Sequence, residues 1–171
     1  MMDEKLQSIV DPMKERFSAP VYVYADEASL IIPPEMIVEA CRVLRDEHHF
    51  ELLVEETAVD YWPELKPRFH IVIRLRSLKH NLIIGMRVPL DGNFPSMPTL
   101  ENVYPNANWF ERELWDMFGI RFLGHSDLRR ILMPHDWEGH PLRKDFPLGY
   151  EEPQYSFNFD EIDLRKPYAK E

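Results

Sequence analysis

Between His125 and Pro147 the chain reads HSDLRRILMPHDWEGHPLRKDFP. Histidines, carboxylates, arginines, a lysine, a tryptophan and prolines stand together here more densely than anywhere else in the sequence. Such groups can bind a metal, move protons, attack a substrate or grip another polypeptide. A metal would draw on His125, His135 and His140 with Asp127 and Asp136. Zinc-binding histidines, however, sit one helical turn apart or in tight loop pairs. Here Pro134, Gly139 and Pro141 surround His135 and His140, and no ligand pattern results. Nucleophilic chemistry fares worse, since Ser126 lacks a glycine elbow. The single cysteine, Cys41, falls on a helix face among apolar residues and reads as a packing residue. It also excludes an internal disulfide or an all-cysteine iron–sulfur site. With only 6 glycines, the chain has neither a phosphate loop nor a dinucleotide fingerprint.

Arg129, Arg130, Arg143, Lys144 and Trp137 remain. Arginine and tryptophan are enriched at protein–protein interfaces, and proline-stiffened segments lose less entropy on docking. The stretch therefore reads as a preorganised docking arm. Two other readings stay in play. One is a metal-dependent enzyme using His125, His135, His140 and Asp136; the other is a free-standing peptide-binding module.

Some element must position this arm. A helix over 108–118, closed by Gly119, leads directly into it. Asn108 is the expected N-cap, with Glu111 three residues on as in a capping box. On a helical wheel Glu111 falls between Phe118 and Trp115, where a carboxylate needs a partner. A structural ion pair with Arg129, Arg130, Arg143 or Lys144 is the leading expectation, ahead of capping alone and of general acid–base work. Arg112 and Asp116 read as a surface i,i+4 pair.

Upstream, apolar spacing predicts helices over 3–17, interrupted at Pro12, and over 35–47 after Pro33–Pro34. Short β-prone runs at 21–24 and 30–32 suit a hairpin. Strands are expected over 50–61, with mixed alternation, and over 68–78 and 81–90, with clean alternation. His70 falls on the polar face as a solvated residue. One apolar face per strand implies an α+β fold, a mostly antiparallel sheet covered on one side by helices. The division is then an α+β domain over 1–119 and an extended C-terminal arm over 120–171. Tyr155, Phe157 and Phe159 give the arm's end a period-2 aromatic face.

At 171 residues one domain with an appended segment is expected. A net charge of −10 disfavours nucleic acid and anionic headgroups as partners. No apolar run reaches the ~20 residues that cross a bilayer, so direct membrane insertion is not expected.

Two quoted runs carry a family resemblance: ERELWDMFGIRFLGHSDLRRIL, from Glu111 to Leu132, and MPHDWEGHPLRKDFPLGY, from Met133 to Tyr150. With the preceding VYPNANWFER, they resemble the 30-kDa-type (C-type) subunit of respiratory complex I, NADH:quinone oxidoreductase. Members usually have proline where this chain has Ser126, so a less rigid turn is expected there. The resemblance implies a non-catalytic hydrophilic scaffold subunit in the peripheral arm, on the cytoplasmic side of the bacterial inner membrane. Its C-terminal extension would run over the large quinone-site (D-type) subunit, among other peripheral-arm subunits. No cofactor would be bound by this chain; FMN, iron–sulfur clusters and quinone belong to the complex. Related complexes that take electrons from ferredoxin or F420 carry a similar subunit.

Overall fold

The computed structural model describes residues 4–25 and 27–147, with Asp160, Glu161 and Leu164 beyond them. Helix α1 (Glu4–Phe17) buries Leu6, Ile9, Val10, Met13 and Phe17 along one stripe. Pro12 lies within this helix and does not end it. It sits on the exposed side, where water can serve the carbonyl it leaves unbonded. Strands β1 (Val21–Tyr24) and β2 (Glu27–Ile31) form the expected hairpin. A 3-10 turn at Pro34–Met36 leads into α2 (Ile37–Asp46), which buries Ile37, Ala40, Cys41, Val43 and Leu44.

Strands β3 (Leu52–Asp60), β4 (Phe69–Ser77) and β5 (Leu82–Leu90) form the antiparallel meander. A register shift between Leu53 and Glu55 explains the mixed alternation of the first of them. The five-stranded sheet runs β1-β2-β5-β4-β3. The hairpin joins the meander through a parallel β2–β5 pairing, Leu30 opposite Met86, so the sheet is mixed at that one junction. Phe69, Ile71, Ile73 and Leu75 of β4 and Ile84, Met86 and Val88 of β5 share one buried core with the helices. The opposite face, with His70, Val72, Arg74 and Arg76, is partly exposed. His70 is not freely solvated: it packs edge-on against Tyr61, with ring centroids 5.0 Å apart.

A second, smaller unit follows. Strand β6 (Ser96–Pro98), helix α3 (Ala107–Phe118) and strand β7 (Arg121–Leu123) form a crossover in which β6 and β7 pair in parallel. The segment expected as an arm from residue 120 thus opens with a strand tied back to residues 96–98.

Candidate functional site

The site is organised around α3, and the VYPNANWFER run fixes where α3 sits. Tyr104 is buried and donates its hydroxyl to the carbonyl of Phe50 at 2.8 Å. Asn106 donates from Nδ2 to the carbonyl of Leu53 at 2.8 Å. Both bonds lock the entry to α3 onto the start of β3. The helix begins at Ala107, so Asn106 stands at the N-cap position, without a side-chain capping bond. Asn108 lies within the first turn and donates to Glu101 at 3.0 Å. The expected capping box is therefore absent, because both asparagines serve tertiary partners.

Glu111 is fully buried. Its Oε2 accepts from the Thr99 hydroxyl at 2.5 Å and its Oε1 from the Leu100 N–H at 2.6 Å. The arginines and lysine of the arm do not reach it; it faces back toward residues 99–100. Burial pushes its pKa up, these two hydrogen bonds oppose that, and the charge of Glu101 adds to it, leaving a value of about 7. Glu56, on the core side of β3, is 3% exposed, and neither of its oxygens has a hydrogen-bond partner among the described residues. Burial, then the charge of Glu111, pushes Glu56 well up. Burial and then the charge of Glu56 raise the Cys41 thiol likewise.

Asp116 occupies the opposite side of α3 and is also fully buried, not a surface partner of Arg112. Its Oδ2 accepts the backbone N–H groups of Ile131, Leu132 and Met133 at 3.0, 2.8 and 2.9 Å. Its Oδ1 accepts from Arg130 at 2.5 Å. Burial alone would raise its pKa; these donors bring it below the ordinary carboxylate value. Arg112 instead donates to the carbonyls of Arg129 and Arg130 at 3.2 and 3.3 Å. A short-range charge pattern on the helix is thus overridden by chain that returns from farther along the sequence.

The C-terminal end of α3 explains the GHPLRKDFP run. The last carbonyls of a helix have no partner within it. Here the His140 ring Nδ1–H donates to Asp116 O at 3.0 Å, the Leu142 N–H to Met117 O at 3.1 Å, and Arg143 Nε to Phe118 O at 2.5 Å. A cation at this end also suits the helix dipole. Gly119 has φ +73°, and a Cβ there would lie 2.5 Å from the His140 ring. Only glycine meets both demands. Arg130 Nη2 closes the loop by donating to the carbonyls of Trp137 and Gly139 at 2.7 and 3.1 Å.

A further clamp was not visible in the sequence. Arg68 is 3% exposed and donates to both oxygens of Asp60, at 2.9 and 2.8 Å. It also donates to both oxygens of Asp145, at 2.9 and 2.6 Å. Its guanidinium lies over the rings of Trp62 and Phe69, 4.8 Å from each centroid. The Lys144 N–H adds a bond to Asp60 at 2.9 Å. Burial would raise the Asp60 pKa, but Arg68 and the N–H groups of Lys144 and Trp62 outweigh it and lower it to about 2. The bonds to Asp60 and then to Asp145 raise the Arg68 pKa in turn. A signal existed in the "KDFP" charges near a proline, but nothing local links residue 68 to residue 145.

The remaining candidates divide by exposure. Arg129 is 75% exposed and among the described residues pairs with nearby Asp127, at 2.6 Å. Trp137 and Lys144 present their side chains to solvent, while Arg130 and Arg143 are largely committed to backbone carbonyls and Asp116. The histidines do not converge. His125 accepts the Asp127 N–H at Nδ1 and donates from Nε2 to Asn108 O at 3.2 Å. His140 packs on Trp115, and His135 is exposed. Among the described residues no group of three or more His, Cys, Asp or Glu side chains is placed to hold a metal ion. Ser126, where proline was expected, uses two groups that proline lacks: its N–H and hydroxyl bond Glu101 at 3.0 and 2.6 Å. Tyr155, Phe157 and Phe159 lie outside the described residues.

The α+β fold recurs in solved structures. A trypsin-resistant fragment (1-134) of Nqo5 superimposes with a TM-score of 0.64 at 27% identity, covering 72% of this chain and 99% of that one. A chain in the structure of the membrane-bound sulfane sulfur reductase, an archaeal respiratory membrane complex, shares the fold. Its TM-score is 0.75 over 98% of this chain and 97% of that one, at 23% identity. The family described as "Respiratory-chain NADH dehydrogenase, 30 Kd subunit" matches residues 30–152, and the chain belongs to it. It is 48% identical over 150 residues to the C-type subunit of the NADH-quinone oxidoreductase of Roseiflexus sp. (strain RS-1), with 86% of each chain covered. It is 41% identical over 166 residues to that of Herpetosiphon aurantiacus, covering 93% of this chain and 96% of the relative.

Proposed function

We propose that this chain is a scaffold subunit of the peripheral arm of a proton-translocating NADH:quinone oxidoreductase. It holds the large quinone-site subunit on the cytoplasmic side of the bacterial membrane. Electrons pass from NADH through FMN and iron–sulfur clusters to quinone in neighbouring subunits, and this chain contributes rigidity and position. Membership of the 30-kDa-subunit family carries this reading. The form of the return segment supports it. Ile131, Leu132, Trp137 and Leu142 are exposed apolar residues on backbone that Asp116, Arg130 and Arg143 hold still. Ordered apolar side chains beside the exposed guanidinium of Arg129 form the kind of surface from which binding hot spots are drawn. Among the described residues no helix is long and apolar enough to cross a membrane. In this reading Tyr155, Phe157 and Phe159 extend the contact by adding a strand to an edge of the partner's sheet.

The test is association of the full chain with the quinone-site subunit. Arg129→Ala combined with Trp137→Ala should weaken binding by about tenfold or more. The thermal midpoint should stay the same, because an exposed ion pair contributes little to folding. Unchanged affinity in this double variant would remove the docking role.

A further inference from the structure

We propose that Glu56 and Glu111 form a proton-binding site inside the domain, a carboxyl pair that retains one proton between β3 and α3 at neutral pH. Glu56 is 3% exposed, and both its oxygens are buried without a hydrogen-bond partner among the described residues. An ionised carboxylate in such a place has lost its water and gained no donor, which favours the neutral acid.

Among the described residues, no lysine or arginine side chain is bonded to either member of the pair. From α3 comes Glu111 itself, and from α2 the thiol of Cys41. The segment before α3 offers the Thr99 hydroxyl, the Leu100 N–H and the more distant charge of Glu101. After β7, His125 Nε2 stands 3.9 Å from Glu111 Oε2. Its Nδ1 accepts the Asp127 N–H and its Nε2–H is directed to Asn108 O rather than to Glu111. Glu111 has two donors and is the better home for a negative charge. Glu56 has none among the described residues and keeps the proton. Two like charges in one desolvated space cannot both form without opposition.

The consequence concerns α3. This helix seats on β3 through the layer that holds Glu56 and Glu111, and its other side carries the return segment through Asp116. Both carboxyls titrate above their ordinary range. Their contribution to stability is therefore complete below that range and is lost as pH rises through the folded-state values. Loss of the last proton loosens the seat of the helix on which residues 130–143 are anchored.

The experiment is a pH titration of the full chain with 13C-labelled glutamate carboxyls, followed by NMR. Two glutamate signals should titrate above about pH 6, far past the ordinary carboxyl range, with that of Glu56 the later. Glu56→Gln should remove the later of the two transitions and move the Glu111 transition to lower pH. The wild-type thermal midpoint should fall by several degrees between about pH 5.5 and about pH 8, and the variant's should fall clearly less. If every glutamate has finished titrating by about pH 5.5, or if Glu56→Gln leaves both late transitions in place and unshifted, the proposal is overturned. Should Glu56→Gln fail to fold, the wild-type titration decides alone.

Discussion

Taken one residue at a time, the charged side chains act mostly on their own fold. Arg68 is the strongest case. It is buried, held by two aspartates and sandwiched near two aromatic rings. Breaking a buried pair by removing one partner leaves a charge uncompensated and typically costs about 3–5 kcal/mol. Asp60→Asn should therefore destabilise the protein by roughly that amount, read from urea unfolding near neutral pH. The depressed Asp60 pKa of about 2 fixes the acid behaviour. The stability it confers, on the order of 2 kcal/mol, is present above the ordinary carboxyl value and is lost as pH falls toward the folded value. Wild type should show this acid loss and Asp60→Asn should show much less of it. Equal unfolding midpoints at neutral pH would refute the clamp. Ser126 makes the same point on a smaller scale, since its two bonds to Glu101 show that the turn has a tether other than a proline ring.

Among the elements, α3 is the part on which the rest depends. One side meets β3 across Glu56 and Glu111. The other binds three successive N–H groups through Asp116. Its final carbonyls are taken by His140, Leu142 and Arg143. The return segment is thus the C-terminal cap of the helix that precedes it, which explains a run with many functional groups and little periodicity. Asp116→Asn places an amide nitrogen among donors and removes the charge facing Arg130. We expect a loss of about 2–4 kcal/mol and faster tryptic cleavage at Arg129 and Arg130. Cleavage within β4 and β5 should remain slow. A cleavage pattern identical to wild type would show that Asp116 does not hold the segment.

As a molecule, the chain is a mixed-sheet domain whose exposed return segment faces outward. Its candidate ligand histidines are dispersed over three different environments: under the first turn of α3, against Trp115, and in solvent. Exhaustive dialysis of the full chain against a chelator should accordingly leave the thermal midpoint unchanged. A drop reversed by adding zinc would restore the metal reading. Taken with the binding test, this separates a molecule that grips a partner from one that holds its own reactive centre.

Local elements were legible from the order of residues alone. Alternation wrote β4 and β5 with accurate bounds, the 3–4 spacing wrote α1 and α2, and Gly119 marked the end of α3, because each rule acts within a few residues. The long run from Glu111 to Tyr150 also carried the family, since so many uncommon residues in order leave little room for coincidence. The partners were settled by the folded chain. Arg68 with Asp145, Asp116 with Arg130, and Glu111 with Thr99 join chain segments that come together only when β6, α3 and β7 are assembled. The parallel β2–β5 junction is of the same kind. A buried charge selects its partner by proximity in a desolvated space, and that proximity exists only after folding.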